Sequence, residues 1–139
     1  MVKTAALLLA AGALTGVMAA PASAAPIREC LTHDDFPNQT WAVVCAETLA
    51  TADTVAGSGS FVFSDRTAAH RLEVQLQRRA AGDPTAGFTV LATATAQGAG
   101  SLSARTAEVA RDTGAVHRTC TVAVAEVSGK RYSLCGLAE

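Results

Sequence analysis

The residues of this chain whose types could do chemistry are four cysteines, three histidines, one adjacent acidic pair and a Gly-Ser repeat. Cys30, Cys45, Cys120 and Cys135 could hold zinc or form disulfides. A zinc site wants close C-x₂₋₄-C pairs, whereas here the members of each pair lie fifteen positions apart. An even count in a small exported chain points to two disulfides. Three connectivities are possible, and turn chemistry selects among them. The midpoint of Cys30 and Cys45 falls at Pro37-Asn38, and that of Cys120 and Cys135 at Val127-Ser128 beside Gly129. In an antiparallel hairpin, residues equidistant from the turn face each other. Each pair is therefore expected to staple its own hairpin, as Cys30–Cys45 and Cys120–Cys135.

His33, His70 and His117 are far apart and lack ligand spacing. His70 and His117 are expected on solvated polar strand faces, and the sequence leaves open whether they meet in space. No metal site and no cofactor is expected. Paired carboxylates such as Asp34-Asp35 can serve glycoside hydrolysis, but adjacent acids near a turn ordinarily serve the turn. Gly57-Ser58-Gly59-Ser60 is not the G-x-S-x-G elbow, and no Lys-Ser/Thr pair follows to make a phosphate loop. It reads instead as a bare strip of strand, sharing a face with Phe61 and Phe63, on which a neighbour's large side chain packs. No catalytic residue emerges, and the chain is expected not to be an enzyme.

The segments that carry these residues read as strands. Turn residues recur at Pro37-Asn38, Ala52-Asp53, Asp65-Arg66-Thr67, Gly82-Asp83-Pro84, Gly98-Ala99-Gly100, Asp112-Thr113-Gly114 and Ser128-Gly129. Between them, His70–Gln77 alternates polar with apolar residues, as do Phe88–Thr95 (Leu91 interrupting) and Val116–Val124. Residues 25–32 read as a first strand or a stapled tail, and Leu102–Arg111 is ambiguous with helix. The expectation is an all-β antiparallel sandwich, or a closed barrel, of about seven or eight strands. Trp41, beside Ala42-Val43-Val44-Cys45, is expected in the core against a disulfide. Asn38-Gln39-Thr40 matches a glycosylation acceptor, and Asn38 is read as a turn residue.

Residues 1–24 place the protein. Lys3, an apolar run and Pro21-Ala22-Ser23-Ala24 have the order of a secretory signal cleaved between Ala24 and Ala25, leaving one domain at 25–139. The apolar run is broken by Gly12, Thr15 and Gly16, and no stop-transfer cluster follows, so no membrane association is expected after cleavage. The net charge of −1 is dispersed over the chain, without the basic footprint of a nucleic-acid binder. One exposed element that could carry recognition is the constrained loop from Leu31 to Thr40 closed by Cys30–Cys45, offering Asp34, Asp35, Phe36 and Pro37; rigid loops lose little entropy on docking.

The signal, the Gly57–Ser60 strand, VQLQRR at Val74–Arg79, RTCTV at Arg118–Val122 and YSLCG at Tyr132–Gly136 together resemble small secreted actinobacterial two-disulfide β-sandwich proteins. The resemblance implies the fold and export but no catalytic residue. The tendamistat-type α-amylase inhibitors share a similar first cysteine gap, but their Trp-Arg-Tyr triplet is missing, since Ala42 and Val43 follow Trp41. Subtilisin inhibitors and chromoprotein-antibiotic carriers space their cysteines differently. The expected function is a secreted, non-enzymatic binding or envelope-associated module, its partner an extracellular protein or a cell-envelope component. The alternative is an inhibitor of an extracellular hydrolase acting through the Cys30–Cys45 loop.

Overall fold

A computed structural model describes residues 27–35 and 39–138. Nine strands follow one another: β1 (Ile27–Asp35), β2 (Thr40–Ala50), β3 (Thr54–Phe63), β4 (Ala69–Ala80), β5 (Thr89–Ala99), β6 (Leu102–Arg105), β7 (Val109–Ala110), β8 (Ala115–Ala125) and β9 (Arg131–Cys135). They form two sheets, ordered β1-β2-β3-β6 with β7 also on β3, and β5-β4-β8-β9; every pairing is antiparallel. β2 and β3 pack across β8 and β4, so the fold is a sandwich rather than a closed barrel. No helix occurs among the described residues. The expected seven or eight strands become nine because Leu102–Arg111, the segment that could have been helical, forms two short strands on one edge of β3.

That edge is interrupted for a local reason. Between β6 and β7, buried Thr106 takes over the pairing: its Oγ1 accepts from Gly57 N at 2.9 Å, and its own N donates to Gly57 O at 2.8 Å. The interruption at Leu91 also has a cause. Leu76 pairs with Ala92 and Gln77 with Val90, so Leu91 is the extra residue of a β-bulge.

The turns at 52–53, 65–67, 82–84, 112–114 and 128–129 fall where the sequence placed them; at 98–100 Gly98 and Ala99 still belong to β5, and Pro37-Asn38 lies outside the described residues. Asp65 and Asp83 solve two of them alike: Thr67 and Thr85 each donate a hydroxyl and a backbone N–H to the preceding aspartate's Oδ1. Those hydrogen bonds hold both carboxyls below their ordinary value. Gly129 has φ 71°, a left-handed conformation glycine adopts without strain, and closes the turn from β8 to β9. β1 runs through Asp35 and β2 starts at Thr40, so most of the segment expected as a loop is strand; Asp35 pairs with Thr40.

Both disulfides join the expected partners. Cys30 lies opposite Cys45, and Cys120 opposite Cys135, with Cα atoms 4.1 and 4.0 Å apart. These short separations belong to non-hydrogen-bonded pairs, where facing side chains are closest. All four cysteines are bridged, as suits an oxidising compartment.

The apolar core comprises Ala42, Val44, Phe61, Leu72, Val74, Ala123 and Tyr132, with Phe63, Ala96, Leu102, Ala104 and Leu134 against it. Because it is poor in large side chains, the sheets approach closely over β3. A Cβ on Gly57 would sit 3.0 Å from Thr119 Cγ2, and one on Gly59 would sit 2.6 Å from Val74 Cγ2. The glycine strip therefore makes room for residues of the facing sheet, although these are Thr119, Thr121 and Val74 rather than the large side chain its sequence suggested.

Part of the interior is polar. The face of β8 that turns inward carries His117, Thr119, Thr121 and Ala123, while Arg118, Val122 and Val124 face outward. Thr48 and Thr119 satisfy each other by a hydroxyl–hydroxyl bond of 2.8 Å across the sheets. The expectation of solvated histidines is thus overturned: His70 is 1% exposed and His117 3%. His70 shares its parity with Leu72, Val74 and Leu76, the buried face of β4. On β8, threonine β-branches rather than valines fill the interior, reversing the polarity that residue type implied.

Candidate functional site

β4 divides its residues cleanly between core and surface. Leu72, Val74 and Leu76 are fully buried, so Arg71, Glu73, Gln75 and Gln77 project from the other side of the sheet. Central placement between β5 and β8 puts them at the middle of that outer face. On β8, Arg118, Cys120, Val122 and Val124 lie opposite Gln77, Gln75, Glu73 and Arg71 in register.

These polar side chains form one directed row. Arg118 Nε donates to Gln77 Oε1 at 2.9 Å, Gln77 Nε2 to Gln75 Oε1 at 2.9 Å, and Gln75 Nε2 to Glu73 Oε1 at 2.6 Å. The ends fix the direction, because a guanidinium only donates and a carboxylate only accepts. Each amide is thereby held in one orientation. Phe88 supports the Arg118 end: the Arg118 guanidinium lies 3.7 Å from its ring centre, and that of Arg79 lies 4.7 Å away. Burial, and then the charge of Arg79, lower Arg118 from its ordinary value.

Glu73, Gln75 and Gln77 of the row line a shallow groove of about 490 Å³, with Arg71, Arg131, Ser133 and the Cys120–Cys135 bridge; Arg118 anchors the row just beyond it. Arg71 and Arg131 line the groove with one carboxylate, Glu73, and Arg79 and Arg118 stand over Phe88 at the far end of the row, so cations outnumber acids along this face on a chain of net charge −1. The groups present are oriented hydrogen-bond donors and acceptors on a rigid sheet. They suit recognition of a polar or anionic chain.

The other candidates are placed as follows. Trp41, expected in the core, lies on the outer face of β2, 44% exposed and opposite Asp34 of β1. Odd-numbered residues of β2 face outward, whereas Ala42, Val44 and Ala46 face the core. Asp34 is exposed beside the β1–β2 turn, Asp35 ends β1, and Phe36, Pro37 and Asn38 lie outside the described residues, as do Ala24 and Ala25. His70 and His117 do not meet: His117 pairs in register with Arg78, at the other end of β4 from His70. Among the described residues, no group of three or more His, Cys, Asp or Glu could hold a metal ion.

Sequence reasoning missed the Gln75–Gln77–Arg118 row. Its signal was present in VQLQRR, where two glutamines two apart must share the polar face of a strand. What the pattern could not supply was Arg118, which the β4–β8 pairing brings from 41 residues away. No family model, curated protein or solved structure matches the chain, so the chemistry of its own residues carries the functional reading.

Proposed function

We propose that this protein is a secreted, non-enzymatic binding module that holds an acidic, hydroxyl-rich polymer of the cell envelope on the outer face of its second sheet. The observation that carries the reading is the ordered row Arg118–Gln77–Gln75–Glu73 along the groove. Side chains already fixed by one another lose little entropy when they exchange partners with a ligand. A sugar polymer offers hydroxyls to the amides, and carboxylates to the flanking arginines. Export is supported by the two disulfides and by the charged, apolar, Ala-x-Ala order of residues 1–24. The grouping with small secreted actinobacterial proteins rests on the sequence segments alone.

The test is co-sedimentation of the oxidised protein with purified cell walls, and its affinity for polygalacturonate against neutral dextran. Wild type is expected to bind walls and polygalacturonate, while Gln75→Ala and Arg118→Ala bind at least tenfold more weakly. Equal retention of wild type and both variants, or no preference for the acidic polymer, would overturn the reading.

One observation favours inhibition of an extracellular hydrolase as a second reading: the stapled β1–β2 hairpin presents exposed Trp41 across from Asp34 near its turn. Slowing of a secreted protease or glycosidase by micromolar protein, lost in Trp41→Ala, supports it; an unaffected panel of such enzymes removes it.

A further inference from the structure

A second concavity lies at one end of the sandwich, away from the polar row. It measures about 270 Å³ and is lined by Phe63, His70, Ala125, Val127, Lys130 and Tyr132, among others. Its walls belong to an aromatic cluster. The His70 ring lies 4.7 Å from Phe61, 4.8 Å from Phe63 and 6.3 Å from Tyr132, centre to centre. Lys130 Nζ sits 5.4 Å from the centre of the Tyr132 ring.

His70 is the informative member. It is 1% exposed, and its Nδ1 lies 3.2 Å from the carbonyl oxygen of Ala68. A carbonyl only accepts, so Nδ1 carries the proton, and in the Nδ1–H tautomer of imidazole Nε2 is the acceptor. Nε2 is buried among aromatic rings and has no hydrogen-bond partner. Buried polar atoms are ordinarily satisfied, and His70 is one of the residues lining this pocket, so its orphaned acceptor lies just behind the pocket wall. A second feature points the same way. Val127 lines the pocket from the β8–β9 turn, yet it is 99% exposed. An apolar side chain at the rim gains burial when an apolar ligand arrives.

We propose that this pocket binds a small aromatic molecule bearing one hydroxyl, such as a phenol, with His70 Nε2 accepting its hydrogen bond. Phe63 and Tyr132 supply the ring contacts, and Val127 covers the outer side of the ligand. The site is independent of the polar row, so either can fail without the other.

The test titrates the oxidised protein with p-cresol and, separately, with toluene, following imidazole nitrogen and aromatic resonances by NMR. p-Cresol is expected to give saturable shifts at His70 Nε2, Phe63 and Tyr132. Toluene, which lacks the donor, should bind about tenfold more weakly, the worth of one net hydrogen bond. Ala125→Leu fills the pocket and should abolish the shifts. Val127→Ser, a substitution at a fully exposed position, should weaken p-cresol binding several-fold and serves if the filled variant does not fold. Absence of saturable shifts up to millimolar p-cresol, or equal binding of toluene with Nε2 unmoved, would overturn the proposal.

Discussion

Introducing a single methyl at position 59 tests the closest approach of the two sheets. A Cβ built on Gly59 would lie 2.6 Å from Val74 Cγ2 and 3.0 Å from Thr121 Cγ2, and nearer still to Thr121 Oγ1. Separations below 3.0 Å are not sustained, and the opposing atoms sit on the central strands β4 and β8, which cannot move independently. Overpacking of this kind costs about 1–3 kcal/mol. Replacing a strand glycine by alanine returns about 0.5–1 kcal/mol through the unfolded chain. Gly59→Ala is therefore expected to destabilise by about 1–2 kcal/mol. With an m-value of about 2 kcal/mol/M, the urea midpoint falls by about 0.5–1 M. Thr121→Ala removes two of the three clashing atoms, and the hydroxyl it deletes has no hydrogen-bond partner. In the double variant, at least half of the Gly59→Ala loss should be recovered, a coupling visible in a double-mutant cycle. Gly57→Ala, with its nearest contacts at 3.0 Å, should cost less. A neutral or stabilising Gly59→Ala, or strict additivity with Thr121→Ala, would refute the packing argument.

Three further outcomes are expected. Burial, then the charges of Arg111 and Arg78, hold the His117 imidazole below its ordinary value, with Asp112 opposing them. Its contribution to stability is then full above about pH 6.5 and lost as pH falls through the lower folded value; the urea midpoint should drop further between pH 7.5 and 5 in wild type than in His117→Gln, and equal drops would contradict this. Thr48→Val strands the Thr119 hydroxyl that it now satisfies, costing about 1–3 kcal/mol, whereas the double change of Thr48 and Thr119 to Val should be closer to neutral in urea unfolding. Replacing either cysteine pair by alanine should lose about 3 kcal/mol, and comparably for both, since each closes a separation of 15 residues; a loss confined to one pair would show that loop closure is not the main contribution.

Turn chemistry made much of this fold legible. Pro37-Asn38 and Val127-Ser128, the latter beside Gly129, sit midway between paired cysteines in the sequence, so both hairpin registers and hence both bridges could be read from it. Strand parity was equally readable, but parity does not say which face is inside. On β8 the inward residues are His117, Thr119 and Thr121, because threonine fills space as valine does and its hydroxyl can be satisfied across the sheets by Thr48. Polarity therefore pointed outward where packing pointed inward. Trp41 failed for the complementary reason: its aromatic bulk suggested the core, yet it alternates with buried Ala42 and must face away. The polar row was half visible, as the two glutamines of β4, and half hidden, since Arg118 joins them only through non-local pairing. The pocket at His70 was invisible, being assembled from β3, β4, β8, β9 and two turns.

On the proposed reading, the outer face of the second sheet is where this protein meets its ligand. Chemical-shift mapping of the isotopically labelled, oxidised protein with polygalacturonate reads that contact residue by residue. The side-chain amides of Gln75 and Gln77 and the Nε–H of Arg118 should shift together, because their hydrogen bonds form one chain. Perturbations centred on Trp41 and Asp34, or none along β4, would contradict it.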